Sequence, residues 1–153
     1  MASQEASSGD QNAMPINAIT WTEIPVTDMA RATDFYRTIF GWDLSPFGGA
    51  SLEEASFVVF NATGKQGQQN GGFVKVTSEN LLSPALHPDN ASKERMSVRV
   101  TVSVASIDEA LKEIEKAGGA VYSPKGEIPG GNMGFVAKFI DTEKNVMGLW
   151  SMT

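Results

Sequence analysis

The sequence contains no cysteine and a single histidine, His87, among its 153 residues. Without cysteine there is no disulfide, no thiolate ligand for zinc and no cysteine nucleophile. Histidine catalysis or metal ligation has one side chain available, in the polar segment SPALHPDN. We interpret His87 as a solvated loop residue. The absence of cysteine also favours a reducing compartment, and we expect a cytoplasmic protein.

An excess of basic charge is also missing, since twelve basic and eighteen acidic residues give a net charge of −6. Such a chain has no positive field to attract phosphate, so we expect neither a nucleic-acid nor a membrane partner. Its apolar runs are far shorter than the roughly 20 residues that span a bilayer. The N-terminus also lacks the basic start and apolar block of a signal peptide, so we expect a soluble, unprocessed protein.

Apolar residues are scarce at the N-terminus, where residues 1–13 are mostly Ser, Gln, Gly and Ala. Ordering such a segment costs backbone entropy with almost nothing to bury, so we predict a disordered tail. The remaining residues, 14–153, have the length of one domain.

The first regular pattern in this domain is an alternation that begins at Ile19. Ile24 and Val26 fall on one face, and Trp21 and Glu23 fall on the other, which is the spacing of a strand. A second alternation, over Met96–Ala105 (MSVRVTVSVA), is more regular: every second residue from Val98 to Val104 is valine. It predicts a strand with one apolar face that packs under a helix and one polar face.

Each of these strands is followed by helix signals. Asp28 precedes the amphipathic stretch MARATDFYRTIF as an N-cap, and Gly41 ends it. Ser106 and Asp108 are both placed to cap a second amphipathic helix, which the glycine pair at 118–119 ends.

The two halves share one spacing. Val26 and Val104 are 78 positions apart, and so are Gly41 and Gly119. A constant offset across a strand, a helix and a stop signal indicates an internal duplication. Strand patterns after each helix complete a βαβββ module, so we predict modules at about 18–76 and 96–152, joined by an exposed loop, 77–95.

These segments resemble the vicinal oxygen chelate superfamily, which includes glyoxalase I, ring-cleaving dioxygenases and bleomycin resistance proteins. The similar segments are WTEIPVTDMARATDFYRTIFGW in the first module, and IDEALKEIEKAGGAV with GFVAKFIDTEKNVMGLW in the second. The resemblance covers 19–150 and implies an α+β fold in which two tandem βαβββ modules form a cupped mixed sheet with helices on its outer face. It also implies a homodimer. It identifies a fold more than an activity.

One turn departs from the superfamily pattern. The turn usually written Asp-Pro-Glu-Gly-Asn is DTEKN here, which puts Lys144 where glycine is usual. If Lys144 keeps a left-handed conformation, it carries a steric cost that glycine avoids.

The metal-using members of the superfamily place one His, Gln or Glu on each of four strands inside the cup. The corresponding positions here are Trp21, Arg99, Gly148 and, with less certain register, Gly72. None of these side chains binds a metal in the normal way. The resemblance therefore implies a cup without its metal, and we expect no cofactor.

The strand faces predict what lines this cup, a mostly apolar pocket with a few polar anchors. Gly72 and Gly148 would add space where a metal is otherwise held. The predicted ligand-binding residues are Trp21, Glu23, Arg99, Thr101, Ser103, Val146, Gly148 and Trp150.

Three functions fit this lining. The first is metal-independent binding or sequestration of a small molecule, as in bleomycin resistance proteins. The second is a cofactor-independent isomerase or lyase, in which Glu23 acts as acid or base and Arg99 stabilises negative charge. The third is a divalent-metal glyoxalase or dioxygenase. Glu23 and Arg99 are equally suited to pair with each other or to contact a ligand.

Overall fold

The computed structural model describes residue 19 and residues 21–62, 70–81, 98–130 and 132–153. The predicted tail, 1–13, and His87 lie outside the described residues. Of the predicted loop 77–95, the structure describes 77–81, which include a short 3₁₀ turn at Ser78–Asn80.

The first half of the chain folds into a four-stranded mixed sheet with one helix. The sheet order is β1-β4-β3-β2, in which β1 and β4 are parallel and the other pairs are antiparallel. The elements are β1 (Trp21–Val26), α1 (Met29–Phe40), β2 (Asp43–Pro46), β3 (Phe57–Asn61) and β4 (Asn70–Lys75).

The second half repeats this topology, with the sheet order β5-β8-β7-β6. Its elements are β5 (Thr101–Ser103), α2 (Ile107–Lys116), β6 (Ala120–Glu127), β7 (Phe135–Ile140) and β8 (Val146–Ser151). The α+β class and the two tandem βαβββ modules are therefore confirmed. Within the described chain the strands form two four-stranded sheets. No helix in those residues is long and apolar enough to cross a membrane.

Helix α1 begins and ends where the sequence predicts. The side chain of Asp28 accepts a hydrogen bond from the amide of Arg31 at 2.9 Å, which satisfies a free N–H of the first turn. Gly41 has a left-handed backbone, with φ of 65°, and its amide bonds the carbonyl of Arg37.

Helix α2 uses only one of its two predicted caps. Ser106 Oγ accepts from the amide of Glu109, as expected. Asp108 lies inside the first turn, and its carboxylate accepts from Nζ of Lys125 on β6 at 3.0 Å. The prediction for Asp108 was wrong, because the Ser106 side chain already occupies the capping position.

Strand β5 is much shorter than the predicted strand over Met96–Ala105. It lies at the end of its sheet, and its pairing with β8 covers only the three residues opposite Gly148–Trp150. Val98 is 98% exposed, and the valines at 100, 102 and 104 are only partly buried. Val100, Val102 and Val104 do pack against the core, as the alternation predicts, but only in part, and Val98 lies outside it.

Aromatic side chains join the two modules at the centre of the core. Phe35 and Phe40 of α1 contact the ring of Phe139 on β7, with centroids 6.3 and 5.9 Å apart. Tyr36 is fully buried and stacks on Trp42 at 4.9 Å. The first helix thus packs against both sheets.

A buried carboxylate, Glu143, forms a polar junction between the modules. It accepts hydrogen bonds from the amides of Thr27 and Asp28 at 2.8 and 3.0 Å, and from the guanidinium of Arg31 at 2.7 and 3.0 Å. Burial by itself raises the pKa of Glu143, but the hydrogen bonds from Arg31, Asp28 and Thr27 lower it below its ordinary value.

A second buried carboxylate, Asp141, completes the junction. It accepts from Tyr36 Oη at 2.8 Å and from the amides of Glu143 and Asn145, both at 2.8 Å. Burial raises the pKa of Asp141, and burial also raises that of Tyr36 well above its ordinary value. The turn that carries both carboxylates places Lys144 at φ of 71°, the left-handed conformation that glycine adopts without a steric cost.

Candidate functional site

Three aromatic side chains form a chain of ring contacts on the first sheet. Trp21 stacks on Phe57, with centroids 6.3 Å apart and planes at 15°, and Phe57 contacts Phe47 edge-on at 6.4 Å. Trp21 is 43% exposed and Phe47 is 74% exposed. We call Trp21, Phe47 and Phe57 the aromatic face. Such rings offer flat apolar area in contact with solvent, as a ligand platform does.

Glu23 lies beside this aromatic face. It is two residues along β1 from Trp21 and opposite Gly72 in the parallel pairing with β4. Its side chain is exposed, and no ion pair joins it to another described residue, Arg99 included. The alternative in which Glu23 and Arg99 neutralise each other is therefore not formed in the structure.

Gly72 does not leave the open space that the sequence suggested. The ring of Phe57 lies over it, and a Cβ added at position 72 would overlap that ring. Gly148 is covered in a similar way, because a Cβ there would overlap the side chain of Thr101. The expectation of additional space at the two glycines was wrong, since neighbouring side chains fill it.

The four positions that the resemblance matches to metal ligands do not carry ordinary metal-binding side chains. They carry an indole at Trp21, a guanidinium at Arg99 and two glycines that neighbouring side chains cover. The side chains of Trp21 and Arg99 offer no lone pair to a divalent cation, and glycine has no side chain. Within the described ranges there is also no group of three or more His, Cys, Asp or Glu placed to hold a metal ion.

The predicted residues of the second module, apart from Arg99, lie in the other sheet. Thr101 is opposite Gly148, and Ser103 is opposite Trp150. The indole N–H of Trp150 donates to the carbonyl of Met133 at 2.9 Å. Trp21 and Trp150 thus belong to different sheets and have separate partners.

Arg99 and Val146 complete the predicted set. Arg99 is partly buried and lies just before β5, outside any strand. Val146 is opposite Ile140, at the start of β8. The eight predicted residues are thus divided between the first sheet, which holds Trp21 and Glu23, and the second sheet with the residue just before it.

Thr101 and Ser103 line a cleft between the two modules, with a volume of about 590 Å³. One wall is the end of α1 together with Trp42, Phe60 and Ala62. The other wall is the stretch from Val100 to Ser106 with the first turns of α2. Trp21, Glu23 and Trp150 are not part of its lining. The structure therefore divides the predicted pocket into an aromatic face and an intermodule cleft.

Phe47 and Phe57 were missed by the sequence reasoning. The strand FVVFN does predict that Phe57 and Val59 share a face, but the contact with Trp21 depends on a register across three strands. Val59 pairs with Gly72, which in turn pairs with Glu23. Pattern alone does not provide that register.

Comparison with protein families returns a partial match. Residues 18–60 match the model of the bleomycin resistance protein-like N-terminal family. The fold is similar to that of solved structures of the glyoxalase/bleomycin resistance protein/dioxygenase superfamily. The chain has the vicinal oxygen chelate fold. No curated protein matches it.

Three solved structures illustrate how far the similarity of this chain extends. A superfamily member from Sphaerobacter thermophilus is 21% identical, with a TM-score of 0.59, over 89% of this chain and 98% of the other. The fosfomycin resistance protein FosX from Listeria monocytogenes is 17% identical, with a TM-score of 0.60, over 91% and 96%. An antibiotic binding protein from Streptomyces sp. CB03234 is 22% identical, with a TM-score of 0.56, over 91% and 98%. At this identity the likeness concerns the fold.

Proposed function

We propose that this vicinal oxygen chelate protein binds or sequesters a small molecule without a metal, and that the aromatic face is its binding surface. The main observation behind this proposal is the stack of Trp21 on Phe57, in which Trp21 is 43% exposed. Trp21 occupies a position that the resemblance matches to a metal-binding side chain. Glu23 beside it gives the surface one carboxylate without an ion-pair partner in the described chain. The preferred ligand is therefore a planar aromatic molecule with a positive charge.

The structural neighbours support this proposal. They include a protein described as antibiotic binding. Fold alone does not transfer a ligand, so the argument depends on the residues of this chain. The absence of cysteine from the sequence favours a cytoplasmic location for such a protein.

We further propose that the chain is a homodimer in which a second copy covers the aromatic face. Trp21, on the first sheet, and Phe47, in the 3₁₀ turn that follows β2, leave apolar rings exposed to solvent. A pocket usually buries most of its ligand, and one open sheet supplies a single wall. Sedimentation velocity should then give the mass of a dimer, and Phe47→Asp should shift it toward the monomer.

Titration with proflavine, a planar aromatic cation, tests the binding proposal. We expect saturable quenching of tryptophan fluorescence, and Trp21→Ala and Phe57→Ala should each weaken binding about tenfold, because each removes a stacking ring. Tyr122→Ala is the matched control, since Tyr122 is an exposed aromatic residue of the other module. Trp150→Ala tests whether the second sheet contributes. Equal affinity in the wild type and both aromatic-face variants would place the site elsewhere.

The second candidate is a metal-independent isomerase or lyase in which Glu23 transfers a proton and Arg99 stabilises an anion. The exposed carboxylate of Glu23 favours it, because such a group can reach a bound substrate. If a bound metabolite is converted, Glu23→Gln should slow turnover at least about 100-fold while binding persists. Turnover at the wild-type rate in this variant would exclude Glu23 as the acid or base.

A further inference from the structure

The intermodule cleft exposes an apolar strip that the described part of the chain leaves incompletely covered. The valines at 100, 102 and 104 are only partly buried, although they carry the most regular apolar alternation in the sequence. Ile39 and Phe40, at the end of α1, are partly buried on the facing wall. The strip therefore keeps apolar area in contact with solvent, and an occupant of the cleft would remove it from water.

The size and lining of the cleft suit a small ligand. Its volume of about 590 Å³ lies within the range of about 300–1,000 Å³ that is typical of ligand pockets. Most of the lining is aliphatic or aromatic, and hydroxyls of Thr22, Thr38, Thr101 and Ser103 supply scattered polar groups. Such a lining accommodates an apolar body with one polar end.

The charged residues of the lining are of one sign. They are Glu109 and Glu113, one turn apart on the exposed side of α2. Glu113 is paired with Lys116, whereas the carboxylate of Glu109 makes no ion pair within the described chain. No lysine or arginine lines this cleft in the residues that the structure describes. The negative charge at its edge complements a cation.

We propose that the intermodule cleft is a second binding site, for a small cationic amphiphile. The apolar body of the ligand lies against the valine strip and the end of α1, and its ammonium group lies beside Glu109. This site is separate from the aromatic face, because Trp21, Phe47, Phe57 and Glu23 do not line it.

The test uses three probes with the same tail and different heads: octyltrimethylammonium, octyl glucoside and octyl sulfate, each below its micelle-forming concentration. The protein is the full chain with Trp21→Phe and Trp150→Phe, in which Trp42, a lining residue, is the remaining tryptophan. We expect saturable changes in Trp42 fluorescence, with the cation binding about threefold more tightly than the neutral probe and the anion most weakly. Equal affinity for all three heads would overturn the proposal.

Two substitutions connect the response to the cleft. Glu109→Gln should bring the affinity for the cation down to that for the neutral probe, whereas Glu115→Gln, on an exposed part of the same helix outside the lining, should leave it unchanged. Ala110→Leu should weaken all three probes by reducing the cleft volume, with circular dichroism confirming that the variant folds. Unchanged binding in Glu109→Gln and Ala110→Leu would overturn the assignment.

Sedimentation velocity in the same series distinguishes the other possible occupant. If a second copy of the chain covers the cleft, Ala110→Leu should change the monomer–dimer equilibrium and the probes should produce no saturable response. That outcome would replace the ligand with a protein interface. A response that is saturable and independent of protein concentration supports the ligand.

Discussion

Lys144 holds a backbone conformation that L-residues with a Cβ adopt at a cost. Its φ is 71°, in the turn that carries the two buried carboxylates. Lys144→Gly should raise the free energy of unfolding by about 0.5–1 kcal/mol, because glycine adopts this conformation without steric strain. Urea denaturation of the variant and the wild type measures this difference.

Two controls separate strain from other effects of this change. Lys144→Ala keeps a Cβ at the same φ and should give little or no gain. Asn132 also has a positive φ, 57°, but asparagine tolerates it, so Asn132→Gly should gain less than Lys144→Gly. Equal stabilisation at both positions would mean that the gain from Lys144→Gly does not come from relief of strain at Lys144.

Glu143 should make the stability of this protein depend on pH. Its folded-state pKa is lowered from the ordinary 4.5, so its contribution to stability is fully present above that value. It is lost as the pH falls through the lower, folded-state pKa. Glu143→Gln should therefore destabilise the protein at pH 7, by about 2 kcal/mol, since Arg31 is half exposed and the ion pair is partly screened.

The difference between Glu143→Gln and the wild type should shrink in acid. Below the folded-state pKa the wild-type carboxyl is protonated and, like Gln, neutral. Urea midpoints of the two proteins at pH 7 and near pH 3 check this expectation. Asp141 has the opposite effect on the pH dependence of stability. Its pKa is raised, so ionisation of this carboxyl lowers the stability of the fold. A destabilisation by Glu143→Gln that is equal at both pH values would contradict this account of the ion pair.

At the scale of the helix, two buried hydroxyls of α1 should respond in opposite ways. Tyr36 Oη donates to Asp141 at 2.8 Å, so Tyr36→Phe removes a donor from a buried carboxylate and should cost about 1–2 kcal/mol. Thr33 Oγ1 is buried without a hydrogen-bond partner among the described residues. Thr33→Val keeps the branched shape and should be neutral or stabilising by up to about 1 kcal/mol. Thermal unfolding of the two variants shows whether each change lowers or raises the stability. A clear loss of stability in Thr33→Val would mean that the Thr33 hydroxyl has a hydrogen-bond partner in the folded protein.

Elements whose signals are local were predictable from the sequence. The caps at Asp28 and Ser106 and the stop at Gly41 depend on neighbouring residues alone, and the structure confirms them. The strand over Met96–Ala105 was predicted too long, because its length depends on the partners that β8 offers. Alternation reports which residues share a face, and pairing partners decide where a strand ends.

The candidate site was less predictable than the fold, since it depends on contacts between distant segments. Trp21 and Glu23 were correctly expected to share one face of β1. The ring of Phe57, 36 positions from Trp21, fills the space above Gly72. Likewise, Thr101 covers Gly148 from a neighbouring strand. A glycine in a sequence indicates that a side chain is missing there, and only the tertiary structure shows what takes its place.

For the whole molecule, the polar and aromatic junction should make the two modules unfold together. Arg31 and Tyr36 of the first module bond Glu143 and Asp141 of the second, and Phe139 contacts two rings of α1. In the chain with Trp21→Phe and Trp150→Phe, Trp42 fluorescence reports the first module. Hydrogen exchange of β7 and β8 amides reports the second. We expect both probes to give the same unfolding free energy in the same urea series.

Adding Tyr36→Phe and Glu143→Gln to that protein should weaken the coupling, because the hydrogen bonds that Tyr36 and Glu143 make across the junction are then lost or weakened. The two probes should separate, with one module unfolding at a lower urea concentration than the other. Lys116→Gln, which removes an exposed pair within α2 with Glu113, is the control and should leave the probes coincident. If the probes stay coincident after these two further substitutions, the remaining contacts suffice to couple the modules. Those contacts are the rings of α1 with Phe139 and the hydrogen bond that the Asn145 side chain donates to the carbonyl of Pro25.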